Sequence, residues 1–265
     1  SVAAGEFKKR HEWIMNPTNA GWVQTLSAIN FVYYLGVSPA AALVNLSQTA
    51  ITTFPALASK YGWMRALNTT LAAVRDAAKN VRVGDDTGIR RSLKSDDERA
   101  AYEQLQKLGA IDVTQAHDLA GLGDSDTRGY SPTAHKVMNA VSFLFHKAEV
   151  VNREATAIAA YRLAREAGKP HQAAVQEAAD TIWQTHFDYS AANRARFMQG
   201  NAAKVLFAFK QYSQSMTYFL WRAFYESMKG ETKQVRNEAR QRLVGTLGMT
   251  GVFAGVMGMP LLSLF

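Results

Sequence analysis

The chain has 265 residues, 48% of them hydrophobic, with 30 Lys and Arg against 22 Asp and Glu and a formal charge of +8. It is long enough to bury a core and too apolar for a disordered segment, and its lack of cysteine excludes disulfides, thiolate metal ligands and a cysteine nucleophile. The positive balance, with a pI near 9.6, favours an acidic counterpart such as nucleic acid, lipid headgroups or an acidic protein.

No initiator Met, signal peptide or cleavage pattern opens the chain, and it stops within an apolar run, so it reads as a part of something longer. Ala, Leu, Gln, Arg and Met dominate and alternating β-branched runs are missing, which predicts helices throughout. Asn16 to Asn19 makes a turn, and an aromatic helix follows over about 20–35. Ser38-Pro39 reads as an N-cap followed by proline at the first helical position, where its missing N–H does no harm. Phe54-Pro55 restarts or kinks the next helix, and Gly62 breaks the chain before a helix to about Val81. Alanine lies on several sides of these helices, as a crowded bundle requires.

Residues 82–130 differ in composition, with polar turn-rich loops at 84–88 and 121–129. Between them Ser95-Asp-Asp-Glu98 is a capping box, opening a helix that ends at Leu108 with Gly109 as its stop. This stretch is expected to be a surface excursion between two helical halves. Ser131-Pro132 opens a long helix to about Ala167, ended by Gly168 and Pro170, and another runs from His171 to about Phe187. After a connector, a helix spans 201–229, Gly230 interrupts it, and a basic helix leads into an uncharged, glycine-containing tail. The division is therefore 1–81, 82–130 and 131–265, in one all-α multi-helix bundle with a central aromatic helix and a Gly-rich apolar C-terminal helix.

Catalytic constellations are weak. His135 and His146 lie about three helical turns apart, and with Glu149 they do not make a chelating pair plus base. Glu149 and Arg153 at i, i+4 read as a helix-face ion pair. His186 near Asp188 lacks a nucleophile beside it, so capping or burial is the reading for that histidine. The loop at 84–88 holds acids where a phosphate cradle needs backbone donors followed by Lys and Ser or Thr, and Gly121-Leu-Gly123 has no strand before it. No catalytic residue, metal or cofactor is assigned.

The helix over 201–229 carries an apolar stripe that includes Phe209, Tyr212, Met216 and Phe219, and Trp221 and Phe224 extend it almost all around. A helix apolar on most faces must be surrounded, by its own domain or by neighbouring subunits; Phe209, Tyr212, Met216, Phe219, Trp221 and Phe224 are the candidate subunit contacts. Lys229, Lys233, Arg236, Arg240 and Arg242 are candidates to face DNA, anionic lipid or an acidic subunit. No nucleic-acid motif collects them, so any DNA contact is non-specific. The last 23 residues, 243–265, carry five glycines and no charge, a length that spans a bilayer if helical. Gly248, Gly251, Gly255 and Gly258 are candidates for close helix packing or membrane insertion, with a buried helix in a protein bundle as the other reading.

Two blocks, YYLGVSPAAALVNLSQ at 33–48 and FAFKQYSQSMTYFLWR at 207–222, with RFMQG at 196–200 and GTLGMTG at 245–251, carry a family resemblance. The chain resembles the large polyvalent protein-associated domains, an all-helical family found near the C-terminal part of long phage virion or prophage polypeptides. The similarity covers about 31–260, least over 82–130. It implies an internal virion, or ejection, protein of a tailed phage: stored inside the capsid near the portal, leaving ahead of the genome, and helping build a conduit across the host envelope. Implied partners are further copies of the chain, other virion core and portal proteins, DNA passing nearby, and the host membrane after ejection. Some relatives carry a lytic transglycosylase domain, but the glutamate and surrounding motifs of that activity are not visible here. Related domains also serve mobile elements in other duties, so family and role are separate inferences.

Overall fold

The computed structural model describes residues 2–15, 21–33, 39–79, 88–111, 132–187, 196–198, 201–207 and 210–255. Among the described residues every regular element is helical, so the protein is all-α and multi-helix. In chain order the helices are α1 (Val2–Met15), α2 (Gly21–Phe31), α3 (Pro39–Gln48), α4 (Phe54–Tyr61), α5 (Trp63–Ala78), α6 (Asp96–Lys107) and α7 (Pro132–Glu166). They continue with α8 (His171–Thr185), α9 (Asn201–Leu206), α10 (Lys210–Lys229) and α11 (Lys233–Ala254). A π-helical turn, Thr49–Thr53, joins α3 to α4, and 3₁₀ turns lie at Gly88–Ser92 and Arg196–Met198.

Two compact units divide the chain, and each draws on three stretches of sequence. The first takes residues 1–41, 114–146 and 188–212. In it α9 packs on α2, where Val23 is buried, and Phe197 meets Phe207 edge-on at 5.5 Å. The second takes residues 42–113, 147–187 and 213–265 and holds the larger core. This interleaving differs from the division expected at 81 and 130. Residues 88–111 belong to the second unit's core, with Ile89, Leu93, Tyr102, Leu105 and Ile111 all buried. The cause is visible in α6: Ala101, Tyr102 and Leu105 fall on one face of an otherwise charged helix, and that face packs on α8.

At the centre of the second unit runs the C-terminal half of α7, where residues 151–164 are buried on every side. Ala155, Ala157, Ala159, Ala160 and Ala164 make this possible, because small side chains let neighbours approach from all directions. That half of α7 is surrounded, whereas the aromatic helix α10 buries one face only. Glycine ends α7 as expected: Gly168 adopts φ 84°, and Lys169 N–H reaches back to Ala164 O at 3.0 Å.

The capping box at α6 forms in part. Ser95 Oγ accepts the Glu98 N–H at 3.2 Å, but the Glu98 carboxylate takes the Lys94 N–H at 2.8 Å and spends its remaining capacity on Arg162. The π-turn answers Pro55. A regular turn there would press the proline ring on the carbonyl four residues back; instead the ladder widens, and Phe54 N–H bonds to Thr49 O, five residues back.

Candidate interaction surface

Around the π-turn the buried polar side chains of the second unit bond to one another and to nearby carbonyls. The π-turn points Thr49, Thr52 and Thr53 inward. Thr49 Oγ1 donates to Asn152 Oδ1 at 2.7 Å, and Asn152 Nδ2 donates to Asn45 O at 2.7 Å. Thr52 Oγ1 lies 2.8 Å from Gln48 O, and Gln48 Nε2 donates to Thr185 O at 3.1 Å. His186, at the C-terminus of α8, places Nε2 2.6 Å from Thr156 Oγ1 and 3.3 Å from Thr53 Oγ1. Burial, and then the positive charge of Arg153, push the His186 pKa well below the ordinary value, so the ring is neutral. A hydroxyl against a neutral imidazole has the distance of a nucleophile and its base. Both groups are sealed from solvent, however, and in this arrangement the pair ties helices together. His186 is thus buried, as expected of it.

Charged groups follow the same rule. Arg162 sits between two carboxylates, bidentate to Glu98 at 2.8 and 3.1 Å and bonded to Asp76 Oδ2 at 2.9 Å. Burial opposes ionisation of Glu98, but the Arg162 guanidinium and the Lys94 N–H outweigh it and hold the carboxyl below its usual range. Glu177 takes Lys60 and Lys169 in the same manner. Arg153 is buried and donates to the carbonyls of Ala110 at 3.1 Å and Phe187 at 3.4 Å. Tyr102 OH closes on Glu154 Oε1 at 2.7 Å. Among the described residues no three His, Cys, Asp or Glu gather as a metal site.

The outward chemistry lies on α10. One face of this helix enters the second unit's core: Met216 is 1% exposed and Phe219 5%, with Leu220, Ala223 and Ser227 beside them. Phe219 meets Phe187 at 6.2 Å, and the Arg242 guanidinium lies 5.8 Å from its ring centre. The opposite face carries Tyr218 at 66% exposure, Trp221 at 64%, Tyr225 at 57%, Met228 at 54% and Phe224 at 42%. Trp221 and Phe224 lie 5.8 Å apart, and Tyr218, Tyr225 and Met228 fall on the same helical face. Soluble chains seldom leave this much contiguous aromatic surface in water.

The six candidate subunit contacts therefore divide. Met216 and Phe219 are corrected to core residues of this chain, because 100° per residue turns them away from Trp221. Tyr212 is partly exposed, Trp221 and Phe224 are outward, and Phe209 lies outside the described residues. Tyr218, Tyr225 and Met228 complete the ridge. Their spacing of three, four and seven residues from Trp221 was the available signal, hidden because the buried face is equally apolar.

The basic candidates divide as well. Thr232 caps α11, its side chain accepting the Val235 N–H at 3.1 Å. Lys229, Lys233 and Arg240 are exposed, while Arg236 is half-buried and donates to Gly230 O at 2.6 Å. Arg242 is corrected: it is buried and paired with Glu226, which also holds Arg222 Nε at 2.8 Å, so it does not face DNA or lipid.

Close helix packing occurs on α11, but at another glycine. A Cβ at Gly245 would lie 2.7 Å from Trp63 Cη2 and 2.9 Å from Pro55 Cβ. A Cβ at Gly248, Gly251 or Gly255 would meet nothing within 4 Å among the described residues, so these three make no close approach to them. Gly258 lies outside the described residues. Thr246 and Thr250 are buried with Gly245, which fixes this part of the apolar tail against α4 and the π-turn. Among the described residues no helix is long and apolar enough to cross a membrane.

Comparison with protein-family profiles, with characterised proteins and with solved structures gives no match for this chain.

Proposed function

We propose that this chain is a structural part of a tailed phage's genome-delivery apparatus: an internal virion protein held near the portal, whose copies pack with one another and with other core and portal proteins around the DNA path. After ejection it helps form the conduit across the host envelope. The observation that carries this reading is the aromatic ridge on α10, exposed on a helix whose other face is already committed to the core. A protein that leaves a large aromatic face uncovered on a helix already anchored in its core works by being packed against neighbours. The motif blocks at 33–48 and 207–222 supply the phage context, and Lys229, Lys233 and Arg240 supply exposed positive charge for DNA or an anionic surface. The role requires no cofactor and no catalytic step in this chain.

Helix-only architecture suits a protein that passes a narrow portal and reassembles. Helical contacts are largely local and re-form quickly, and without cysteine there is no disulfide to reduce. Virions of the encoding phage test the role: the chain is expected in purified particles, in several copies around the portal, and absent from them after ejection. Particles that lack it, or that deliver DNA normally when its gene is deleted, would overturn the proposal. Liposome flotation with and without residues 243–265 tests the membrane contact; equal flotation removes it while leaving the virion role intact.

A further inference from the structure

We infer that α10 pairs with the α10 of a second copy, parallel and in register, through Tyr218, Trp221, Tyr225 and Met228. The inference rests on the assembly reading above and names its contact. These four positions follow at three, four and three residues, the spacing that keeps one seam turned toward a partner helix. The helix cannot bury the seam in its own unit, because Met216, Phe219, Leu220 and Ala223 already occupy the core side.

Area supports a second copy. From their exposed fractions, the four seam residues and Phe224 offer roughly 500–600 Å² per copy, taking about 200 Å² for each large side chain. Two such faces bury about 1,000–1,200 Å² together, which reaches the lower bound for a specific protein interface. Composition agrees: Tyr, Trp, Phe, Met and Arg are the types enriched where proteins meet, and no lysine interrupts 218–228.

The edges of the seam set the direction. One edge carries Arg222 and Lys229, and the other Thr217 and Phe224. An antiparallel pair lays each edge against its own kind and so sets cations on cations, with Glu226 offsetting only Arg222 in each copy. A parallel pair lays Arg222 and Lys229 along the second copy's Thr217 and Phe224, where a cation meets a ring or a hydroxyl instead of a like charge.

Because the chain has no cysteine, one introduced thiol reports the geometry of the whole 265-residue protein. Under mild oxidation Tyr218→Cys alone is expected to give a covalent dimer. An antiparallel pair would instead cross-link only when Tyr218→Cys and Met228→Cys chains are mixed, and that result would overturn the proposed pairing. In sedimentation Trp221→Glu is expected to weaken association at least about 30-fold, with the helical circular dichroism unchanged. Should Trp221→Glu misfold, Tyr225→Lys on the same seam is expected to act alike. Wild-type chain that stays monomeric at about 100 µM, or a folded seam variant that associates like wild type, would sink the inference. Either outcome leaves the virion role standing on its own test, with copies meeting through other faces.

Discussion

Two regions of the second unit invert the usual distribution of polarity. Around the π-turn, hydroxyls, amides and an imidazole are buried; on α10, five large apolar side chains face water. The buried groups are bonded to one another at 2.6–3.3 Å across α3, α7 and α8. Of the exposed rings, Trp221 and Phe224 lie against each other along the helix. Polarity inside that is satisfied is architecture, since removing either partner of a buried pair strands the other. Apolar surface outside that is uncovered is where something further can bind. The helices that look most chemical are therefore scaffold, and the helix that looks most like core carries the contact.

The largest effect that would break this comparison lies at Arg162. Arg162→Ala leaves the buried Glu98 and the half-buried Asp76 without their counter-charge, an expected loss of about 3–5 kcal/mol by chemical denaturation. A loss near zero would show that the interior polarity does not hold the unit together.

The glycines give a sharper contrast of opposite sign. Gly245→Ala pushes a methyl against Pro55 and Trp63, with an expected cost of about 1–3 kcal/mol from overpacking. Gly248→Ala meets open space and is expected to gain about 0.5–1 kcal/mol by removing a mid-helix glycine. Thermal melts of the two variants read the difference directly.

Acid should separate the regions too. His186 has a folded pKa well below its ordinary 6.5. Above that value both states are neutral at this site and it contributes no slope. Below it the unfolded chain binds a proton first, so this site removes about 1.4 kcal/mol of stability per pH unit until the folded pKa is reached. His186→Gln is expected to flatten that part of the stability profile. Glu98, Glu177 and Glu226 are held below their ordinary 4.5, so their contribution is present above that value and is lost as pH falls through the folded pKa values. The ridge on α10 carries no such group among its five apolar residues, so seam contact itself is expected to persist over the same range.

Smallest on stability is Trp221→Glu. The side chain points outward, so the monomer should change by no more than about 0.5 kcal/mol while association is lost. Stability and assembly then separate at one residue.

Much of the helical outline was legible because breakers and caps act locally. Gly109 and Gly168 adopt the left-handed backbone that ends α6 and α7, and Ser95 caps α6 where its spacing from Glu98 predicts. The core role of 88–111 was harder to read, since the polar composition of that stretch masks Ala101, Tyr102 and Leu105 on one face. The partners of Arg162 lie 64 and 86 residues away, and no periodicity announces contacts at that distance.

The amino-acid sequence by itself determined the helix-only architecture, the glycine ends of α6 and α7 and the surplus of positive charge, because each depends on neighbours within a turn or two of chain. Which face of α10 meets the core, which glycine admits a neighbouring helix, and which arginines are spent on carboxylates were decided only in three dimensions. An apolar stripe does not state its own direction; burial against particular distant residues assigns it.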